Sequence, residues 1–127
     1  MDLSTTTDSF AEADAKFETQ FATTFHADAS WSDSMKATAK YALGNMLGSI
    51  AYMYGDRLIF DNNKVIIEPP TSLFTGIPDR PDHGRGFMWD EGFHNHLISV
   101  WNMDLTQQII ASWFATTNST TGWICRE

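Results

Sequence analysis

The sequence predicts an all-α chain of helices paired by loops, and three observations carry that expectation. Phe10, Phe17, Phe21 and Phe25 follow one another at spacings of seven, four and four residues, which places them on one face of a helix. Apolar residues from Met35 to Tyr54 keep a helical period, and the period resumes at Phe93, Leu97, Val100 and Trp101. Between these stretches, Pro69, Pro70, Pro78 and Pro81 exclude a helix.

In the first helix, Glu12, Asp14, Lys16, Glu18 and Gln20 lie mostly away from the phenylalanine face. Residues 1–14 form a polar N-terminal segment and residues 15–127 the body of the chain. A break at Asp28-Ala29-Ser30 separates the first helix from a second, over residues 32–54, capped by Ser30 or Ser32 with Asp33 favourable in its first turn. Gly44 and Gly48, four apart, let a neighbouring helix approach closely, and Gly55 provides a C-cap. Residues 56–86 read as a long loop with one short strand at 64–68; a loop of that length inside a compact domain is usually functional or disordered. The third helix begins near Trp89 and stops at Asn102 or Asp104, where Asp104-Leu105-Thr106-Gln107 resembles a variant capping box. Leu105, Ile109, Trp113 and Phe114 supply the buried face of the fourth, and residues 116–122 form a polar turn. The apolar faces are larger than four helices can cover among themselves.

A chain of 127 residues is at most one ordinary domain. Its net charge of -8 argues against nucleic acid or an anionic membrane surface as partner, since neither attracts an acidic protein. With Cys125 as the only cysteine, no disulfide forms within the chain. No run approaches the roughly 18–20 apolar residues of a membrane span, and the polar, acidic N-terminus is unlike a signal peptide. Asn118-Ser119-Thr120 matches the acceptor pattern for N-glycosylation.

Chemistry concentrates in Gly84-Arg85-Gly86-Phe87-Met88-Trp89-Asp90-Glu91-Gly92-Phe93-His94. Two carboxylates, an arginine, a histidine and three aromatic rings suit a sugar pocket, with flat apolar faces for the ring and charged groups for its hydroxyls. Adjacent positions on a helix diverge by about 100°, so Asp90 and Glu91 do not share one proton. One faces a pocket while the other is held by a basic partner such as Arg85 or Arg126. Desolvation by Trp89 and Phe87 disfavours the ionised form of a neighbouring acid, as a general acid requires; the competing reading makes both acids helix-starting residues.

Glu91-x-x-His94 puts two potential metal ligands on one face. Carboxylate-bridged metal bundles use that motif twice, whereas here it occurs once and His96 points elsewhere. No metal and no cofactor are expected. Cys125, between Ile124 and Arg126, reads as a buried inert thiol rather than a nucleophile. Gly84-x-Gly86 follows a proline-rich loop and carries no phosphate-loop signature. Trp123 suits either a sugar-stacking surface or a core position.

These residues resemble the catalytic domain of the processing α-glucosidases (mannosyl-oligosaccharide glucosidases) of glycoside hydrolase family 63. The family run Pro-Arg-Gly-Phe-Leu-Trp-Asp-Glu-Gly-Phe-His is matched from Arg85 to His94 with Met88 in place of Leu. Leu73-Phe74-Thr75-Gly76-Ile77-Pro78-Asp79-Arg80 is similar to the family's Leu-Phe-Thr-Ala-Val-Pro-Ser-Arg, and Gly122-Trp123-Ile124-Cys125-Arg126-Glu127 to its Gly-Trp-Ile-Ala-Arg-Glu. Gly84 replaces the family's Pro and His83 an aromatic residue.

The resemblance implies a partial (α/α)6 toroid, an incomplete barrel of helical hairpins. It implies inverting removal of the terminal α-1,2-linked glucose from the glucosylated N-glycan precursor in the endoplasmic reticulum. It makes Asp90 the general acid and Arg85, Phe87, Trp89, Glu91, His94, Trp123, Arg126 and Glu127 candidate substrate-binding residues. The family's catalytic base lies far downstream. The chain is therefore expected to be a catalytic-domain fragment, inactive alone and completed by the rest of that domain, with any membrane anchor outside it. Two other functions fit the residues: a related glycosidase acting on another α-glucoside, or a non-catalytic helical carbohydrate-binding or interaction module.

Overall fold

The computed structural model describes residues 3–61 and 63–124. Its elements are α1 (Leu3–Phe25), α2 (Asp33–Gly48), β1 (Ile50–Asp61), β2 (Lys64–Gly76), α3 (Met88–Trp101) and α4 (Met103–Ala115). They fall into two compact units, Met1–Gly44 and Asn45–Glu127.

In the first unit the phenylalanine face forms as its spacing predicts. Phe21 is buried, with its ring centroid 6.1 Å from Phe17 and 5.2 Å from Phe25, while Phe10 is exposed. Lys40 of α2 sits 5.5 Å from the Phe21 ring centroid and pairs with Glu18, joining α1 to α2 through cation–π and ionic contact. The turn between them is closed by Asp28, whose carboxylate accepts from the backbone N–H of Ser30 at 2.8 Å and its hydroxyl at 2.6 Å. Those bonds hold the Asp28 carboxyl below its ordinary range. Their support for the turn is thus present above the ordinary carboxylate range and lost as pH falls through the lowered value.

The all-α expectation, and with it the partial toroid, is overturned in the second unit. The chain is mixed α/β, because residues expected as the end of a helix and a long loop form an antiparallel β-hairpin. Ile50 and Tyr54 stand four apart, which mimics a helical repeat. However, the stretch from Ile50 to Ile59 is rich in β-branched and aromatic residues, and its burial alternates: Ala51 and Met53 are half-buried, Tyr52 and Tyr54 exposed. Helix α2 accordingly stops at Gly48 rather than near Gly55.

Just before β2, Asn63 takes φ 64°, a left-handed conformation that asparagine tolerates. The prolines fit the hairpin through a bulge. Gly55 pairs with Thr71 and Arg57 with Glu68, so Asp56 alone opposes Pro69 and Pro70, where no ladder hydrogen bond is demanded of them. The cross-strand pair Arg57 and Glu68 closes the bulge with a salt bridge, Nε to Oε2 at 2.8 Å.

Against β2 pack α3 and α4. Ile98, Ile109 and Trp113 form the buried centre, with Leu73, Phe74, Met88 and Leu105 around it. Full burial of an isoleucine contributes about 1.5–3 kcal/mol, and both isoleucines are fully buried. The Phe74 N–H donates to the Ser112 hydroxyl at 2.7 Å, tying β2 to α4. Asn102, extended at φ -156°, ends α3 by donating its N–H to Ile98 O and starts α4 by accepting from Leu105 N at 3.0 Å. The cap of α4 is therefore Asn102, two residues before the motif at Asp104.

Candidate functional site

The loop from Ile77 to Phe87 carries the chain from the end of β2 to the start of α3, and a short bridge makes it double back. Asp79 and His83 pair in antiparallel fashion. The His83 N–H donates to Asp79 O at 2.9 Å, and His83 Nδ1 lies 2.8 Å from Asp79 Oδ2. This brings Pro78, Asp79 and His83 beside Arg85, Phe87, Trp89 and Asp90, around an open groove of about 380 Å³. The Arg85 guanidinium stands 5.6 Å from the Phe87 ring centroid, and the His83 ring meets Phe87 edge-on at 6.4 Å. Trp89 is exposed and meets Phe93 in a T-shaped contact at 6.0 Å. One groove thus holds a carboxyl group, an arginine, a histidine–aspartate pair and two aromatic faces.

Asp90 and Glu91 part company as helix geometry requires. Asp90 is half-buried and lines the groove. Glu91 turns inward, 6% exposed, and among the described residues its hydrogen-bond donors are a hydroxyl, a backbone N–H and a side-chain amide rather than Arg85. Oε1 accepts from the Thr75 hydroxyl and from the Gly76 N–H at 2.6 Å. Oε2 accepts from Asn95 Nδ2 at 2.8 Å. Thr75, fully buried, in turn accepts from Trp113 Nε1 at 3.2 Å. A buried carboxylate costs several kcal/mol unless such donors surround it. Glu91 borders a second cavity, of about 440 Å³, whose walls mix apolar Met88, Ile110, Trp113 and Phe114 with polar Asn95, Ser99 and Thr106.

His94 is also buried, its Nδ1 3.8 Å from Glu91 Oε2 and without a hydrogen-bond partner among the described residues. Gly76 makes room for that ring, since a Cβ there would lie 3.0 Å from His94 Cε1. Among the described residues no group of three His, Cys, Asp or Glu is disposed to hold a metal ion. Trp123 is exposed on the final turn and does not line the groove around Asp90. Asn118 is exposed in the same turn, its Oδ1 accepting from the N–H groups of Thr120 and Thr121, both at 3.0 Å. Cys125, Arg126 and Glu127 lie outside the described residues.

The groove residues missed from sequence are Pro78, Asp79 and His83, and the buried partners missed are Thr75, Asn95 and Trp113. The i,i+4 spacing of Glu91 and Asn95 was the one local signal for that cluster. Gly86 locks both regions together. A Cβ there would meet Thr75 Cγ2 and Oγ1 at 2.7 Å and Trp113 Cζ2 at 3.1 Å, whereas at Gly84 the nearest atom is Arg80 O at 3.6 Å. Gly86→Ala is expected to cost about 1–3 kcal/mol through overpacking, seen as a lowered urea midpoint. Gly84→Ala should leave the midpoint unchanged.

Comparison with known proteins gives these features a context. The family model described as "Glycosyl hydrolase family 63 C-terminal domain" matches residues 1–127. The chain is 38% identical over 135 aligned residues to a mannosyl-oligosaccharide glucosidase of Saccharomyces cerevisiae, covering 94% of the chain and 16% of that protein. It is 41% identical over 96 residues to alpha-glucosidase 2 of Arabidopsis thaliana, covering 69% of the chain and 12% of that protein. A mannosyl-oligosaccharide glucosidase of the same plant is 33% identical over 120 residues, or 88% of the chain and 14% of that protein. The chain thus spans less than one-fifth of the length of these relatives.

Proposed function

Because the chain belongs to glycosyl hydrolase family 63, we propose that it carries the acid half of an α-glucosidase active site. The observation that supports this most directly is the groove around Asp90. Its carboxyl group is half-buried at the third position of α3, among Arg85, Phe87 and Trp89, and has no hydrogen-bond or ion-pair partner among the described residues. In this reading Asp90 donates a proton to the glycosidic oxygen as the bond to the anomeric carbon breaks. Arg85 and the Asp79–His83 pair offer donors and acceptors to sugar hydroxyls, and Phe87 and Trp89 offer faces to the ring.

The substrate is a glucosylated N-glycan oligosaccharide, from which the terminal α-1,2-linked glucose is removed in the endoplasmic reticulum lumen. The names of the relatives as mannosyl-oligosaccharide glucosidases support that choice. Inversion further requires a carboxylate about 6.5–9.5 Å from the acid to activate water. Asp79 is engaged by His83, so this reading assigns the base to the remainder of the catalytic domain, as it does the completion of the pocket. The reaction needs no cofactor.

The test is to incubate the full-length protein that carries this segment with a glucosylated oligosaccharide and follow released glucose by NMR. Release of β-glucose first, before mutarotation, is the expected result. No release, or release of α-glucose first, contradicts the reading. Trp89→Ala should raise KM about five- to ten-fold, on the order of one lost ring contact, with kcat little changed.

A further inference from the structure

The mechanism leaves two buried ionisable groups unused, Glu91 and His94, and the first of them has the more telling surroundings. Glu91 is adjacent to the proposed proton donor, yet its carboxylate faces the interior, where three donors from two elements converge on it: the Thr75 hydroxyl and Gly76 N–H at the end of β2, and the Asn95 amide one turn along α3. The beginning of α3 lacks the usual fastening. Its N-cap residue, Phe87, has no side chain able to accept from the first free N–H groups, and the structure shows no side-chain cap. An uncapped first turn frays, and Asp90 lies in that turn. The bonds of Glu91 leave those N–H groups unsatisfied but tie the first turn to the end of β2, which is itself held to α4 through Trp113 and Ser112.

We infer that Glu91 is a positioning residue that pins the first turn of α3 to the end of β2 and thereby fixes the direction in which Asp90 presents its proton. The inference rests on the proton-donor reading of Asp90 and gives Glu91 a role distinct from contact with the sugar. What it requires of Glu91 is length and acceptor oxygens in a closed site. The same function therefore extends to Thr75, which is fully buried and donates its hydroxyl to Glu91.

The experiment compares Glu91→Ala and Thr75→Val with the unaltered full-length protein on two substrates. One is the glucosylated oligosaccharide, whose leaving group needs a proton. The other is α-glucosyl fluoride, whose leaving group departs without one. Misplacing a catalytic group by about 1 Å costs up to about a hundred-fold. Both variants should thus lose about ten- to a hundred-fold in kcat on the oligosaccharide, with KM changed by less than about two-fold and most of the loss absent on the fluoride. Thr75→Ser, which keeps the hydroxyl, should retain the original rate.

Equal losses on both substrates would mean general structural damage and overturn the inference. So would an unchanged kcat in Thr75→Val, or a rise in KM alone in Glu91→Ala, which would put Glu91 on the sugar. Asp90→Asn run alongside separates the two levels. If that variant shows the substrate discrimination and the others do not, only the role of Glu91 fails; if Asp90→Asn shows none, the proton-donor reading fails first.

Discussion

Asp90→Asn is expected to lower kcat on a glucosylated oligosaccharide by about 10²–10⁴-fold, the usual contribution of a positioned general acid. Asparagine matches aspartate in shape and keeps the groove filled, so binding should persist and KM should stay close to its original value. Only the transferable proton is removed. A loss in kcat and in kcat/KM by the same factor is the signature of an interaction made in the transition state alone. If KM rose while kcat held, Asp90 would be a binding residue, and the function of the groove would have to be assigned to another carboxyl group.

The second large effect is on stability. Trp113 is buried beside Ile98 and Ile109, and its indole N–H completes the chain of bonds through Thr75 to Glu91. Trp113→Ala should cost about 3–5 kcal/mol, combining lost burial with the cavity left behind. Denaturant unfolding of the full-length protein, with midpoint and slope fitted separately, reads that cost. Trp113→Phe keeps one aromatic ring and should cost less than Trp113→Ala, with about 1 kcal/mol of its cost coming from the lost hydrogen bond. A Trp113→Ala cost below about 1 kcal/mol would show that α4 is not anchored through this residue.

The contrast between what the sequence revealed and what it concealed has a physical origin. The phenylalanines of α1 and the apolar positions of α4 repeat over several turns, and so the helices were legible. The hairpin was not, because Ile50 and Tyr54 satisfy a helical spacing that strand-forming neighbours override, and because Pro69 and Pro70 suggest a loop unless a bulge is there to receive them. The sequence between the two strand runs also lacks the glycine that usually marks a hairpin connection.

Much the same division runs through the site. The separation of Asp90 from Glu91 follows from helix geometry alone. The identity of Glu91's partners does not, since Thr75 is sixteen residues away in sequence and is brought near only when β2 pairs with β1 and packs under α4. A basic partner was the natural expectation for a buried carboxylate. Backbone, hydroxyl and amide donors took that place because the end of β2 presents an N–H group pointing away from the hairpin, where α3 begins.

If Asp90 supplies the proton to the leaving group, the ratio of two rates reveals it. Turnover of the glucosylated oligosaccharide and of α-glucosyl fluoride is measured for the full-length protein and for its Asp90→Asn variant. The expected result is a loss of about 10²–10⁴-fold on the oligosaccharide and a loss smaller by at least about ten-fold on the fluoride. Equal losses on the two substrates, or near-normal turnover of the oligosaccharide, would contradict it.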